Sequence, residues 1–282
     1  MAKRELPGHI AAALAAAGGP ADSAGVPWAG RSLEGEGNPL HRFDKDDGQP
    51  DAGYTSAVAA LTAGTGSEAD VVRSLATARV YVAIIATLGE DAESAHGLAA
   101  DKEADLALVT LTAPDGRKAL PVFSSVDALA HWHPEARPVA VYAPRAALSA
   151  VSEEAQLLVI DPGSDITFVV RRPAMWALAQ QREWVPSYED GSLAGIVSDA
   201  AAQESAVRQV RLSAGTGVTS RTAGGTLVSG GGAGPELRIT LQLAPGLDAA
   251  GVQSLAAALQ QRLASHPEFV ERVDSLEMKI TR

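Results

Sequence analysis

The stretch from Asp105 to Gln180 constrains this chain more than any other, because five short apolar runs alternate there with segments of helical character. The run around Val109 and Leu111 stops at Pro114-Asp115-Gly116, a strong turn signal, and resumes at Lys118 as KALPVF, the return strand. Ser124-Ser125-Val126-Asp127 reads as a helix start: a serine hydroxyl accepts from orphan amides, and the acid three residues on reaches back. Val126, Leu129 and Ala130 give that helix an apolar side, and His133-Pro134 ends it, since the residue before proline avoids the helical region. PVAVY is the next strand, and Pro144 suits the first turn of a helix, where its missing amide would be unpaired anyway. QLLVI then runs into the turn Asp161-Pro162-Gly163-Ser164, and ITFVV follows. Arg171-Arg172-Pro173 opens a last helix with Met175, Trp176 and Ala179 expected inward. Strands apolar on both faces imply a sheet covered by helices.

The segments DGRKALPVFSSVDALAHW, ARPVAVY and LLVIDPGSDITFVV resemble the N-terminal domain of the SseB family, proteins named for enhanced serine sensitivity. Asp115, Gly116, Leu120, Pro121, Phe123, Ser124, Ser125, Trp132, Asp161, Pro162, Gly163 and Ser164 carry the resemblance. It implies a fold and a family but no defined activity, so these positions are expected to be structural.

The net charge of −11 argues against nucleic acid as a primary partner, because phosphate binding needs clustered Lys and Arg. The adjacent basic residues, Lys3-Arg4, Arg117-Lys118 and Arg171-Arg172, are isolated pairs and not a cluster. The absence of cysteine removes disulfides, thiolate metal sites and cysteine catalysis. No run approaches the ~20 apolar residues of a membrane span. Lys3-Arg4 before HIAAALAAAGG has the outline of a weak signal peptide, but Glu5 and the short, alanine-dominated run speak for a surface helix, and a cytoplasmic location is expected.

Residues 1–53 are read as a Gly/Pro/Asp-rich arm, with no periodicity from residue 18 to 55. Its Trp28-Ala29-Gly30-Arg31 segment and the acidic Asp44 to Gly48 stretch resemble the arms of actinobacterial SseB-like proteins. Trp28, Gly30, Arg31, Phe43, Asp44, Asp46 and Asp47 are therefore the candidate partner-binding residues. Two readings stay open: the aromatics pin the arm to the protein's own surface, or the arm docks on a partner. DKDDG fails the calcium-loop spacing, since glycine falls fifth from Asp44 and Thr55 stands where the twelfth-position glutamate is needed.

Residues 54–182 are read as the SseB N-terminal-like domain, 183–192 as a linker and 193–282 as a smaller α-β-β-α-β layer with an antiparallel sheet. The fold class is α+β. Ser67, with Asp70 three residues on, is the expected cap of a second helix, and ARVYVAIIATL the first strand. In the last segment Leu237, Ile239, Leu241 and Leu243 alternate with polar residues, and Val252, Leu255, Leu259 and Leu263 stripe a helix capped by Asp248. Its position resembles the C-terminal domain of longer SseB-like proteins. The glycine-rich segment from Gly215 to Gly234 lacks the G-K-(S/T) of a phosphate loop and precedes a strand, so it reads as a mobile hairpin connection.

No cysteine, GxSxG, HExxH or two-histidine-one-carboxylate spacing is present, and His131 and His133 lie two apart on a helix, pointing to different sides. The expectation is a non-catalytic protein-interaction or regulatory module without metal or cofactor, binding a protein partner or itself and no membrane. The alternatives are an accessory protein or enzyme of serine and amino-acid metabolism, and a small-molecule sensor with an interdomain pocket.

Overall fold

The computed structural model describes residues 43, 45–87, 105–113 and 115–282. Contacts divide the chain into a unit Met1–Asp47 and a unit Gly48–Arg282. In the first, the Asp46 amide donates to the Phe43 carbonyl at 2.9 Å.

Two helices open the second unit: α1 (Ala52–Thr62), capped by Asp51, and α2 (Glu68–Leu75), where Ser67 and Asp70 form the expected reciprocal capping box. They lead into β1 (Arg79–Thr87), β2 (Asp105–Leu108), β3 (Leu111–Thr112) and β4 (Lys118–Phe123). After α3 (Val126–Trp132) come β5 (Arg137–Tyr142), α4 (Ala143–Ser152), β6 (Leu157–Ile160), β7 (Phe168–Arg171) and α5 (Arg172–Ala179). The sheet runs β2-β1-β4-β6-β7, with β5 on the far edge of β1 and β3 beside β4. It is mixed: β4 and β6 are parallel, while the other pairs are antiparallel.

Alternate side chains follow the pleat to opposite faces. Val80, Val82, Leu120, Val122, Leu158, Ile160, Phe168 and Val170 pack under α1, α2, α4 and α5. On the other face Tyr81, Ala83 and Phe123 meet Leu129 of α3, and Ala119, Leu157 and Val169 form a smaller cluster. Pro121 stands inside this sheet because β4 changes neighbours there. Its Lys118 and Ala119 pair with β3, its Val122 and Phe123 with β1, and a missing amide at the junction breaks no ladder bond.

The chain then forms α6 (Gly191–Ala202), β8 (Val207–Ala214), β9 (Thr219–Arg221), β10 (Leu227–Gly231), β11 (Leu237–Leu243), α7 (Ala249–Ala264), α8 (Pro267–Arg272) and β12 (Leu276–Thr281). The alternation of Leu237, Ile239, Leu241 and Leu243 and the stripe Leu255, Leu259, Leu263 produce the buried core between this sheet and its helices. The sheet order is β12-β11-β8. β8 and β11 pair antiparallel as expected, but β12 departs from that arrangement, because it returns through α7 and α8 and lies parallel to β11. The α+β class is what the elements show.

The glycine-rich segment, expected as a hairpin connection, holds a strand pair of its own. β9 and β10 pair within it, and Val228 enters the first core beside α1. A Cβ on Gly217 would lie 2.0 Å from the Gly234 carbonyl carbon, so the two backbones approach more closely than any side chain allows.

Candidate functional site

The family-motif residues divide between the two ends of β4. At its start, the Asp115 carboxylate accepts from the Arg117 amide at 3.1 Å and Gly116 takes φ 87°. Arg117 then spans to Asp274 at 2.7 Å and to the Ala233 carbonyl at 2.8 Å. At the far end Phe123, Ser124, Trp132, Asp161 and Gly163 converge. Because β4 and β6 are parallel, the loops that follow them emerge side by side. The buried Asp161 carboxylate accepts from the Ser124 amide at 2.7 Å, and the Asp161 amide donates to the Val122 carbonyl at 2.9 Å. Sequence reasoning gave Asp127 that reach-back role; Ser125 does cap α3, but Asp161 serves the Ser124 amide.

Trp132 stacks at 5.2 Å from Phe123 in a tilted pair, with Gly163 against its edge. Pro162, half-buried, fills the same turn. Arg79 donates to the Ser124 carbonyl at 2.9 Å, reaches the Gln49 carbonyl, and lies 4.3 Å over the Tyr81 ring. Burial pushes the Asp161 carboxyl up against the hydrogen bonds from Ser124, and pushes the Tyr54 hydroxyl up with help from the Asp161 charge. The Asp161 carboxylate, the Ser125 hydroxyl and the Arg79 guanidinium each bond the protein's own backbone. The cluster is a clasp.

Of the arm residues, Trp28, Gly30, Arg31 and Asp44 lie outside the described residues. Phe43, Asp46 and Asp47 fall in the unit Met1–Asp47. Among the described residues, no three His, Cys, Asp or Glu side chains gather as a metal site.

A different place offers an open surface. Two adjoining clefts of about 300 and 190 Å3 share the segment 182–185. The larger lies between α5, this segment and α8, lined by Pro173, Trp176, Trp184, Val185, Glu271 and Arg272 among others. The smaller lies against α2 at Val72 and Leu178. Trp176 was expected inward, yet it is 41% exposed, while Met175 beside it is fully buried. At about 100° per residue, Ala174, Met175 and Leu178 define the inner face of α5, and Trp176 lies far outside that arc. Val185 is 53% exposed. The buried Trp184 Nε1 has no hydrogen-bond partner among the described residues.

The cleft walls are rigidly held. Ser187 is fully buried and its amide donates to Glu236 at 3.3 Å, while Tyr188 donates to Glu68 at 2.9 Å. Arg272 binds Asp190 at 2.9 Å and Ser192 at 2.7 Å. Burial works to raise the Asp190 carboxyl, but the hydrogen bonds from Ser192 and Arg272 outweigh it and hold it below the ordinary range. Sequence reasoning missed the cleft because it treated 183–192 as a spacer. The signal was there in Trp184-Val185-Pro186, an apolar run unusual for a linker.

Residues 55–177 match the family model described as SseB protein N-terminal domain. A search of curated proteins finds no match. The matched range holds the clasp at Ser124, Trp132 and Asp161, together with Trp176 at its end.

Proposed function

This chain is an SseB-family protein through its N-terminal domain, and from that premise we propose that it works by binding, as a non-catalytic protein-interaction module whose recognition surface is the tryptophan cleft. The observation that carries this reading is the exposure of Trp176 and Val185 around a cleft whose walls are fixed by buried hydrogen bonds. Leaving a tryptophan half in water forgoes ~1–2 kcal/mol of burial. Aromatic side chains on a rigid, partly apolar cleft are the usual anchors of protein recognition. The mixed charges around it, Arg182, Glu183, Glu271 and Arg272, suit the polar rim of such a contact.

The arm residues Trp28, Arg31 and Phe43 remain a second candidate contact on this proposal. A small-molecule sensor is the other reading, favoured by a cleft volume at the lower end of ligand pockets and by a lining that mixes tryptophans with charged side chains. Affinity capture from native lysate with the wild-type protein and a Trp176→Ser/Val185→Ser variant separates them. The interaction reading predicts proteins retained by the wild type and lost with the variant. Identical captures would overturn it.

A further inference from the structure

The three-stranded sheet has one face buried under α6, α7 and α8 and one face open. Register places the open face in rows. Arg211 of β8 stands opposite Thr240 of β11, and Thr240 opposite Lys279 of β12. One pleat step along, Ser213, Arg238 and Glu277 form the next row. All of these but Glu277 line a shallow depression of about 570 Å3, with Arg282 at its rim.

The charge of this face is opposite to that of the chain. The whole sequence carries −11, yet four cations gather here with Glu277 as the acid in their rows. Glu277 is already used: it binds Arg238 at 2.6 Å and accepts from the Thr216 amide and hydroxyl. Those hydrogen bonds, Thr216 first, hold its carboxyl below the ordinary range. Arg211 and Lys279 are exposed and make no ion pair among the described residues. Like charges flanking one central residue repel, so sheet stability alone does not account for their placement.

We propose that this face is a docking surface for an extended acidic segment of a partner protein. Charge complementarity selects the anion, and geometry selects its form. Strands lie about 4.8 Å apart, so Arg211 and Lys279 present charge about 10 Å apart, with Arg238 about 7 Å along the sheet. Alternate side chains of an extended peptide share one face and repeat at about 7 Å, a spacing that the long Arg and Lys side chains can follow to meet successive carboxylates. Thr240 and Gln242 between them supply hydrogen-bonding groups for the peptide backbone. The face carries no aromatic side chain, so nothing on it stacks nucleobases as single-strand binders do.

The proposal goes beyond the cleft reading, and its assay varies no cleft residue, so its failure would leave that reading standing. Fluorescence anisotropy with a labelled oligoglutamate peptide, at low and at physiological ionic strength, tests it on the full chain. The comparison set is Arg211→Ala/Lys279→Ala, Arg145→Ala on the exposed side of α4, and an oligodeoxythymidylate of equal charge. The expected result is peptide binding that weakens with salt, falls about tenfold or more in the double variant and is unchanged in Arg145→Ala. The oligonucleotide is expected to bind more weakly than the peptide. No peptide binding at low salt, equal affinity in the double variant, or tighter binding of the oligonucleotide would each overturn the proposal. Thermal midpoints of the variants, expected to match the wild type, confirm that the readout is binding.

Discussion

Asp161 shows how one side chain can close a fold. It sits at φ 51°, in the left-handed region that aspartate and asparagine tolerate better than most residues. From there its carboxylate reaches the Ser124 amide and joins the ends of two parallel strands. Burial raises its carboxyl above the ordinary value. A group raised in the folded state supports folding fully below its unfolded value, about pH 4 for aspartate. That support is lost as pH rises through the folded value. Asp161→Asn keeps an oxygen for the Ser124 amide and removes the titration. It is therefore expected to gain stability relative to the wild type between about pH 4 and 7, read by urea unfolding across that range. A difference flat with pH would mean that Asp161 ionises as readily in the fold as outside it.

At the scale of elements, the glycine-rich hairpin has the largest consequence. Its glycines make room for backbone against backbone at Gly217 and Gly234, and for Phe168 against Gly231, which also takes φ 70°. Gly217→Ala is expected to cost about 1–3 kcal/mol or more, because nothing flexible can yield. Gly224→Ala, near the exposed tip, should stay within about 0.5 kcal/mol. Denaturant midpoints compare them, and equal small effects would contradict the tight approach.

Elements defined by local signals were legible in the sequence: the Ser67–Asp70 box, the Asp248 cap, the Leu255-Leu259-Leu263 stripe and the turn at Asp161. The hairpin was not, since glycine composition reports missing side chains and says nothing about what fills the space. The direction of β12 was half legible. A helical crossover between neighbouring strands implies a parallel pair, but only the structure makes β11 and β12 neighbours. Trp176 was misplaced because its neighbours Met175 and Ala179 are apolar, and only the arc of α5 separates them. The basic face was invisible for a similar reason: Arg211, Arg238 and Lys279 are scattered along the chain and meet through register.

Across the whole Gly48–Arg282 unit, two apolar cores are joined by buried polar groups. Glu68 and Arg171, each 2% exposed, face one another at 3.7 Å. Glu68 accepts from Tyr188 and from the Gly231 amide, and Arg171 donates to the Gly217 and Gly234 carbonyls. Burial pushes the Glu236 carboxyl up even as it accepts from Asp274 and Ser187. Arg171→Ala leaves the Glu68 charge buried beside unpaired carbonyls and should cost about 3–5 kcal/mol of stability. Guanidinium unfolding checks this, and a loss under about 1 kcal/mol would show the pair to be incidental. This network also bonds Ser187 and Tyr188, next to Trp184 and Val185, and so supports the cleft shape that the proposed contact requires. The binding claim is tested most directly by a photo-reactive benzoylphenylalanine at Val185, irradiated in cells that make the protein, with Arg145 as the control position. Discrete adducts with another protein at 185 and none at 145 are expected. No adduct at 185, or the same adducts at both positions, would contradict a recognition surface at this cleft.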